Sequence, residues 1–529
     1  MTSDPAWYQT GVFYEVAVHS FQDGNADGVG DIAGLVQRLD YIQDLGITGI
    51  WMLPILQSPM RDGGYDVSDF TGVRPEYGTL DDVRTLIHEA HSRGLKVITD
   101  FIVNHSSDQH PWFVEARNPA SPKHDWYVWS EDKNLYNDAR VIFVDTHTSN
   151  WTWDDVADKY YWHRFFDHQP DLNFANADLR KAMMDAIRFW LDLGFDGMRL
   201  DAVPYLFEED GTNCENLPAT HTFLKEVREM VDREYEGRAL LAEANQWPAD
   251  LLPYFGNGDE CHMAFHFPVM PRLFLALATG DTTPIIDVLS ETPDIPQGTQ
   301  WAVFLRNHDE LTLEMVSDED RETLNAAYAP DPAMRKNIGI RRRLAPLLAN
   351  DMRRIELLNA VLMSLPGTPV VYYGDEIGMG DTVALEDRDG VRTPMQWEPT
   401  RSAGWSDANP QDFYLPVVDS PSYAPAKVNV ADQSDDPSSL LSFMKTLIAV
   451  RGEIGEMGTA PFHALATGHA GVLGFARGDV SVAANFTDEP ISIPWVDGSL
   501  IAGNATVAET AATLPAYGWL WMTGGKEPA

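Results

Sequence analysis

The chain has 529 residues, well past the ~250–300 at which a single core stops growing, so a large main domain with one or two smaller ones is expected. With 38 Lys and Arg against 80 Asp and Glu, the net charge is −42. That excludes nucleic acid and anionic membranes as partners and favours a small neutral or cationic ligand. Two cysteines without zinc-type spacing, no bilayer-length apolar run and no leader-like pattern at Met1–Pro5 fit a cytoplasmic setting.

Val12–Val18 reads as a strand. The loop after it places oxygen side chains at Asp23, Asn25, Asp27 and Asp31, a turn-permitting Gly28 and a carbonyl at Val29. This spacing suits a structural Ca²⁺ or Mg²⁺, with Gly34 where an EF-hand carries Glu. A helix-capping Asx loop is the alternative. Leu35–Leu45 shows helical periodicity and stops at Gly46. A strand over Ile47–Leu53, a helix over Leu80–Arg93 and a strand over Leu95–Val103 follow. Further apolar runs lie at 195–200, 239–242, 263–267, 301–305 and 369–373, with helical stretches at Leu179–Leu193 and His221–Tyr235 between them.

Eight strands alternating with helices predict an α/β fold, a (β/α)8 TIM barrel over 1–104 and 174–452. Residues 105–173 break the alternation and read as an inserted domain. A second insertion near 310–355 reads as lid-like. Short alternating runs from 453 predict a C-terminal antiparallel β-sandwich over 453–529. The basic run Arg341-Arg342-Arg343 reads as a solvated helix face, with partner binding as the alternative.

The chemistry gathers at strand ends. Strand three ends Asp100-Phe101-Ile102-Val103-Asn104-His105, strand four Arg199-Leu200-Asp201, strand five Ala242-Glu243, and strand seven Arg306-Asn307-His308-Asp309. Arg199 and Asp201 point the same way along their strand, which alone fits a structural ion pair as well as an ionised nucleophile. A retaining glycosidase needs two carboxyls about 5–5.5 Å apart, and neighbouring strands lie ~4.8 Å apart. Asp201 and Glu243 meet that condition as nucleophile and acid/base, with the apolar Leu240-Leu241-Ala242 expected to desolvate Glu243. Asp309 would grip sugar hydroxyls across the mouth. His105 and His308 are singly more often structural; beside these carboxylates they read as donors to the sugar.

These strand ends, together with Gln169-Pro170-Asp171-Leu172-Asn173, resemble the five signature regions of the α-amylase superfamily (glycoside hydrolase family 13). The resemblance implies Asp201, Glu243 and Asp309 as catalytic residues. It also implies Arg199, His105, His308, Tyr65 and Gln169 as substrate residues, with a pair Asp62–Arg392 closing the pocket floor of exo-acting members. It further implies a structural Ca²⁺ on Asn104, Asp171, Tyr205, Leu206 and Glu208, and no organic cofactor. The longer runs Gly211–His221, Glu243–Pro248, Gly258–Phe267 and Arg306–Met315 resemble the maltose α-D-glucosyltransferase (trehalose synthase) branch. That likeness implies an isomerase interconverting maltose and trehalose by double displacement, with minor hydrolysis. Relatives read Arg-Ser-Phe where this chain has His19-Ser20-Phe21. Some are fused to a maltokinase, so such a kinase and a second copy are the expected protein partners. An exo-acting α-glucosidase is the alternative activity. A non-enzymatic interaction protein is the third reading, and the intact carboxylates speak against it.

Overall fold

The structure, a computed structural model, describes residues 5–494, 498–508 and 511–523. Its centre is a closed eight-stranded barrel: β1 Phe13–Val16, β2 Gly49–Met52, β3 Lys96–Ile102, β4 Gly197–Asp201, β5 Ala239–Ala242, β6 Met263–Phe265, β7 Gln300–Phe304 and β8 Thr368–Tyr372. Each strand pairs in parallel with its sequence neighbours, and β8 closes on β1. Nearly every strand residue is buried, as expected where helices cover one face and barrel packing the other. Parallel strands bring all eight carboxyl ends to one rim, which puts the chemistry-bearing motifs together.

Local signals set the helices around it. Thr79 and Asp82 form a capping box that starts helix Leu80–Ser92, whose buried stripe is Val83, Leu86, Ile87 and Ala90. Asn176 accepts from the N–H groups of Asp178 and Leu179 to start helix Ala177–Leu193. Gly194, at φ 115°, ends that helix in a backbone conformation an L side chain resists, and the chain turns directly into β4. The expected helix over Leu35–Leu45 is instead two helices, Ile32–Gln37 and Leu39–Asp44. Arg38 breaks it: its Nε donates to Gln22 at 2.7 Å and its guanidinium lies 4.2 Å from the Trp397 ring centre.

Between β3 and β4 the inserted segment carries helix Pro111–Ala116 and a three-stranded antiparallel sheet of Trp129–Ser130, Trp151–Asp154 and Lys159–Trp162. It returns to the barrel through a bridge between His105 and Asp171. After β7 the second insertion holds a small antiparallel sheet and helix Asp318–Tyr328. Arg341-Arg342-Arg343 is not a solvated helix face. Arg343 is fully buried and donates to the Tyr373 carbonyl, Arg342 pairs with Asp381 at 2.8 Å, and Arg341 binds the carbonyls of Val383, Leu385 and Asp387. The run pins the 381–387 loop to the barrel rim. Antiparallel strands from Phe462 to Thr523 form a five-stranded and a three-stranded sheet around a shared cluster that includes Val472, Ile493, Leu514 and Leu520.

Candidate active site

Arg199 is the hub of the rim. Its Nη1 lies 2.6 Å from Asp201 and 3.0 Å from Asp100, and its Nη2 lies 2.5 Å from Glu243. One guanidinium thus ties the ends of β3, β4 and β5. The β4–β5 register pairs Leu200 with Ala242, and the Glu243 N–H continues it by donating to the Leu200 carbonyl. Past Asp201 the chain turns left-handed at Ala202 (φ 55°), and the Ala202 N–H donates to Glu243 at 3.1 Å. Burial pushes the Asp201 carboxyl well above the usual range; Arg199 opposes this and the neighbouring Glu243 adds to it. Arg199 lies as close to Glu243 as to Asp201, so one guanidinium faces both carboxyls. The desolvation expected for Glu243 does not hold, since its side chain is 23% exposed to the pocket. The apolar lead-in buries the strand and stops at Ala242.

Across the mouth, one oxygen of Asp309 accepts from Arg388 at 2.9 Å and Arg392 at 3.0 Å, and the other lies 3.1 Å from His308. Burial alone would raise this carboxyl, but these three cations outweigh it and hold it well below the usual range. The expected pair Asp62–Arg392 is corrected: Asp62 pairs with Arg388 at 2.6 Å, while Arg392 serves Asp309 and the His308 carbonyl. Gly63 is what lets Arg392 in. A Cβ there would stand 2.2 Å from its Nη1. Gln169 is corrected too. It is fully buried and donates to Asp62 at 2.8 Å, so it positions Asp62 from behind.

Tyr65 donates to Asp100 at 2.7 Å, and its oxygen lies 2.7 Å from His308 Nε2. Burial raises Asp100 to about 6 against the pull of Arg199 and His308. His308 is buried, yet Asp309 and Glu15 raise it to about 9. His105 is the opposite case: burial lowers it to about 3 against a main-chain contact with Tyr65. His19 lies buried against Ser20, away from the pocket.

The pocket these groups surround has a volume of about 140 Å³, small beside the ~300–1,000 Å³ of drug-sized sites, and suits a small ligand rather than a polymer. Asp62, Tyr65, His105, Asp201, Glu243 and Asp309 line it. Arg199, His308, Gln169 and Arg392 stand behind that wall, almost without exposure. Sequence reasoning missed Arg388, which lines the pocket, and did not name the wall residues of the two insertions expected to cover it: Phe143 and Phe165 from the first, Glu310, Thr312 and Glu314 from the second. Arg140 joins the two insertions by pairing with Glu314 at 2.9 Å, and it also pairs with Glu215 of the segment after β4 at 2.8 Å.

Two regions bear on metal binding. Asn104 Oδ1, Asp171 Oδ2 and Glu208 Oε1 are buried oxygens without a hydrogen-bond partner, and burial raises Glu208 well above the usual range, with Asp171 adding to it. Burial pushes Asp171 to about 8 against the lowering pull of Arg164 and Asn104. Such a set of starved hard oxygens fits a calcium ion. In the 23–31 loop, Asp23, Asn25, Asp27 and Asp31 all accept from main-chain N–H groups, and Asp31 caps the helix after it. This is the Asx-turn geometry of the alternative reading. Among the described residues no three His, Cys, Asp or Glu side chains are grouped to hold a metal, so either site would draw on amide and carbonyl oxygens as well.

The alpha-amylase catalytic domain matches residues 16–329 and 341–458. "Trehalose synthase/amylase TreS" of Mycobacterium tuberculosis is 52% identical over 99% of this chain and 91% of that protein. "Trehalose synthase" of Pimelobacter sp. strain R48 is 55% identical over 90% of this chain and 84% of its own length. Among solved structures, the trehalulose synthase MutB from Pseudomonas mesoacidophila MX-45 superposes with a TM-score of 0.82 at 27% identity, covering 99% of this chain and all of that one. With the barrel, the three rim carboxylates and these matches in hand, the chain belongs to the alpha-amylase family.

Proposed function

We propose that this chain interconverts maltose and trehalose by intramolecular glucosyl transfer. The observation that carries the reading is the pocket itself: a small cavity with a complete retaining pair at its base and walls from both insertions around it. Asp201, ionised against Arg199, attacks the anomeric carbon of the nonreducing glucose. Glu243, open to the pocket, gives a proton to the departing glycosidic oxygen. Asp309, held by Arg388, Arg392 and His308, holds sugar hydroxyls as positive charge builds on the ring. The freed glucose stays beneath Phe143 and Phe165, turns, and offers its anomeric hydroxyl to the glucosyl-enzyme. Glu243 takes that proton, and the second displacement gives an α,α-1,1 link with retention. Exclusion of water is what separates this outcome from hydrolysis; the 52–55% identity to proteins named trehalose synthase/amylase and trehalose synthase supports the transfer.

Asn104, Asp171 and Glu208, with the carbonyls of Tyr205 and Leu206, would hold Ca²⁺; when bound, the ion supplies a clamp between insertion and barrel. The 23–31 loop would take Ca²⁺ or Mg²⁺ in a structural role. A cytoplasmic setting, a second copy and a maltokinase partner complete the reading. Incubation with maltose tests the activity: trehalose as the main product is expected, while glucose without trehalose would establish the α-glucosidase alternative.

A further inference from the structure

Glu15, on β1, is fully buried under the pocket floor and touches no substrate-facing group. Its Oε1 accepts the His308 main-chain N–H at 3.2 Å and lies 2.5 Å from His308 Nδ1. The other ring nitrogen, Nε2, lies 3.1 Å from Asp309 Oδ2 and 2.7 Å from the Tyr65 oxygen. Tyr65 spends its own proton on Asp100, so its oxygen is left to accept. Both imidazole nitrogens therefore face acceptors, and a neutral imidazole donates from only one.

We propose that Glu15 is a positioning residue of the reaction: it fixes His308 as an imidazolium, and that imidazolium orients Asp309 against the sugar. The charged and titratable groups around His308 are few. Glu15 comes from β1 and Asp309 from the loop after β7. Tyr65 comes from the loop after β2, with Asp100 of β3 behind it. Arg392 approaches only the His308 carbonyl, and Tyr372 of β8 sits beside Glu15 in register. Asp309 is already shared with two guanidiniums, which leaves Glu15 as the countercharge dedicated to the ring. With Gln at position 15 the hydrogen bond survives and the charge goes. A neutral ring that keeps its Nδ1 proton then presents an Nε2 lone pair to the Asp309 carboxylate, and the two repel.

The catalytic half of this proposal rests on the role given to Asp309; the state of the ring does not. The test measures both on the full chain. NMR of 13C-labelled histidine, with His308→Gln for assignment, is expected to show the unaltered ring titrating near 9. Glu15→Gln is expected to bring it near the ordinary 6.5, and Glu15→Asp to keep it raised. At pH 8 a ring of pKa 6.5 is protonated in about one molecule in 30, so Glu15→Gln should lose about 30-fold in kcat on maltose at pH 8 and less than about twofold at pH 5.5. A ring in the unaltered chain that is neutral at pH 7 overturns the proposal, even if Glu15→Gln fails to fold. A loss in Glu15→Gln of equal size at both pH values overturns it as well, marking Glu15 as packing alone. A shifted ring with unchanged kcat at pH 8 overturns the link to Asp309.

Discussion

Arg388 is the residue the geometry promotes most. It is buried at the pocket wall and bridges Asp62 and Asp309, the floor and the far carboxylate. Arg388→Gln removes a guanidinium from between two buried carboxylates. Breaking one side of a buried pair costs about 3–5 kcal/mol because the partner charge is left uncompensated. Asp62 would keep only Gln169 as a partner, whereas Asp309 would keep Arg392 and His308. The loss should therefore fall mainly on Asp62. A double-mutant cycle isolates it: Arg388→Gln and Asp62→Asn, alone and together, with kcat/KM on maltose as readout. A coupling of about 2–3 kcal/mol is expected, roughly 30- to 150-fold less loss in the double variant than the product of the singles. The cycle between Asp62 and Arg392 should show under about 1 kcal/mol, since they make no direct bond. If Asp62 instead couples strongly to Arg392 and additively to Arg388, the assignment of the pair is wrong.

Glu243→Gln should lower kcat by about 10²–10⁴ because the acid/base step is removed, while its amide oxygen can keep one of the two donors, Arg199 or the Ala202 N–H, that now reach separate carboxylate oxygens; activity within a few-fold of normal would remove Glu243 from the mechanism. His308 makes stability depend on pH. Its folded value of about 9 lies above the unfolded 6.5, so its contribution, on the order of 3 kcal/mol, is complete below about pH 6.5 and is lost as pH rises through 9. Urea midpoints at pH 6.5 and 9.5 should differ in that direction, and less so in Glu15→Gln. Chelation should lower the melting temperature of the protein as isolated, and Ca²⁺ should restore it. Glu208→Gln should weaken that response, and a melting curve indifferent to chelator would count against the Asn104–Asp171–Glu208 site.

The barrel was legible because parallel strands buried on both faces leave continuous apolar runs, and eight of them alternate with helical periodicity. The order of motifs then placed Asp100, Asp201, Glu243 and Asp309 on one rim, since strand direction alone decides where they emerge. Partner choice was less legible. Arg388 and Arg392 lie four apart around the short helix Asp389–Val391, and both reach the pocket side, so a motif match settles on either. Only the backbone shows that Gly63 clears a path for Arg392 while Arg388 takes Asp62. Burial of Gln169 likewise depends on how the insertion folds back through the His105–Asp171 bridge, a long-range contact without a local signal. Arg38 broke a well-patterned helix for a reason 359 residues away in the chain, the Trp397 ring. Glu15 looked like an interior strand residue, and its use emerges only when β7 brings His308 against it.

The central claim is that the glucose released from maltose never leaves the pocket before it is rejoined. Incubating the protein with unlabelled maltose and an excess of 13C-labelled free glucose, and reading the trehalose by mass spectrometry, tests it directly. Trehalose without label is the expected result. Trehalose carrying label in one ring, in proportion to the added glucose, would contradict an enclosed transfer and leave an ordinary transglucosylase with an open acceptor site.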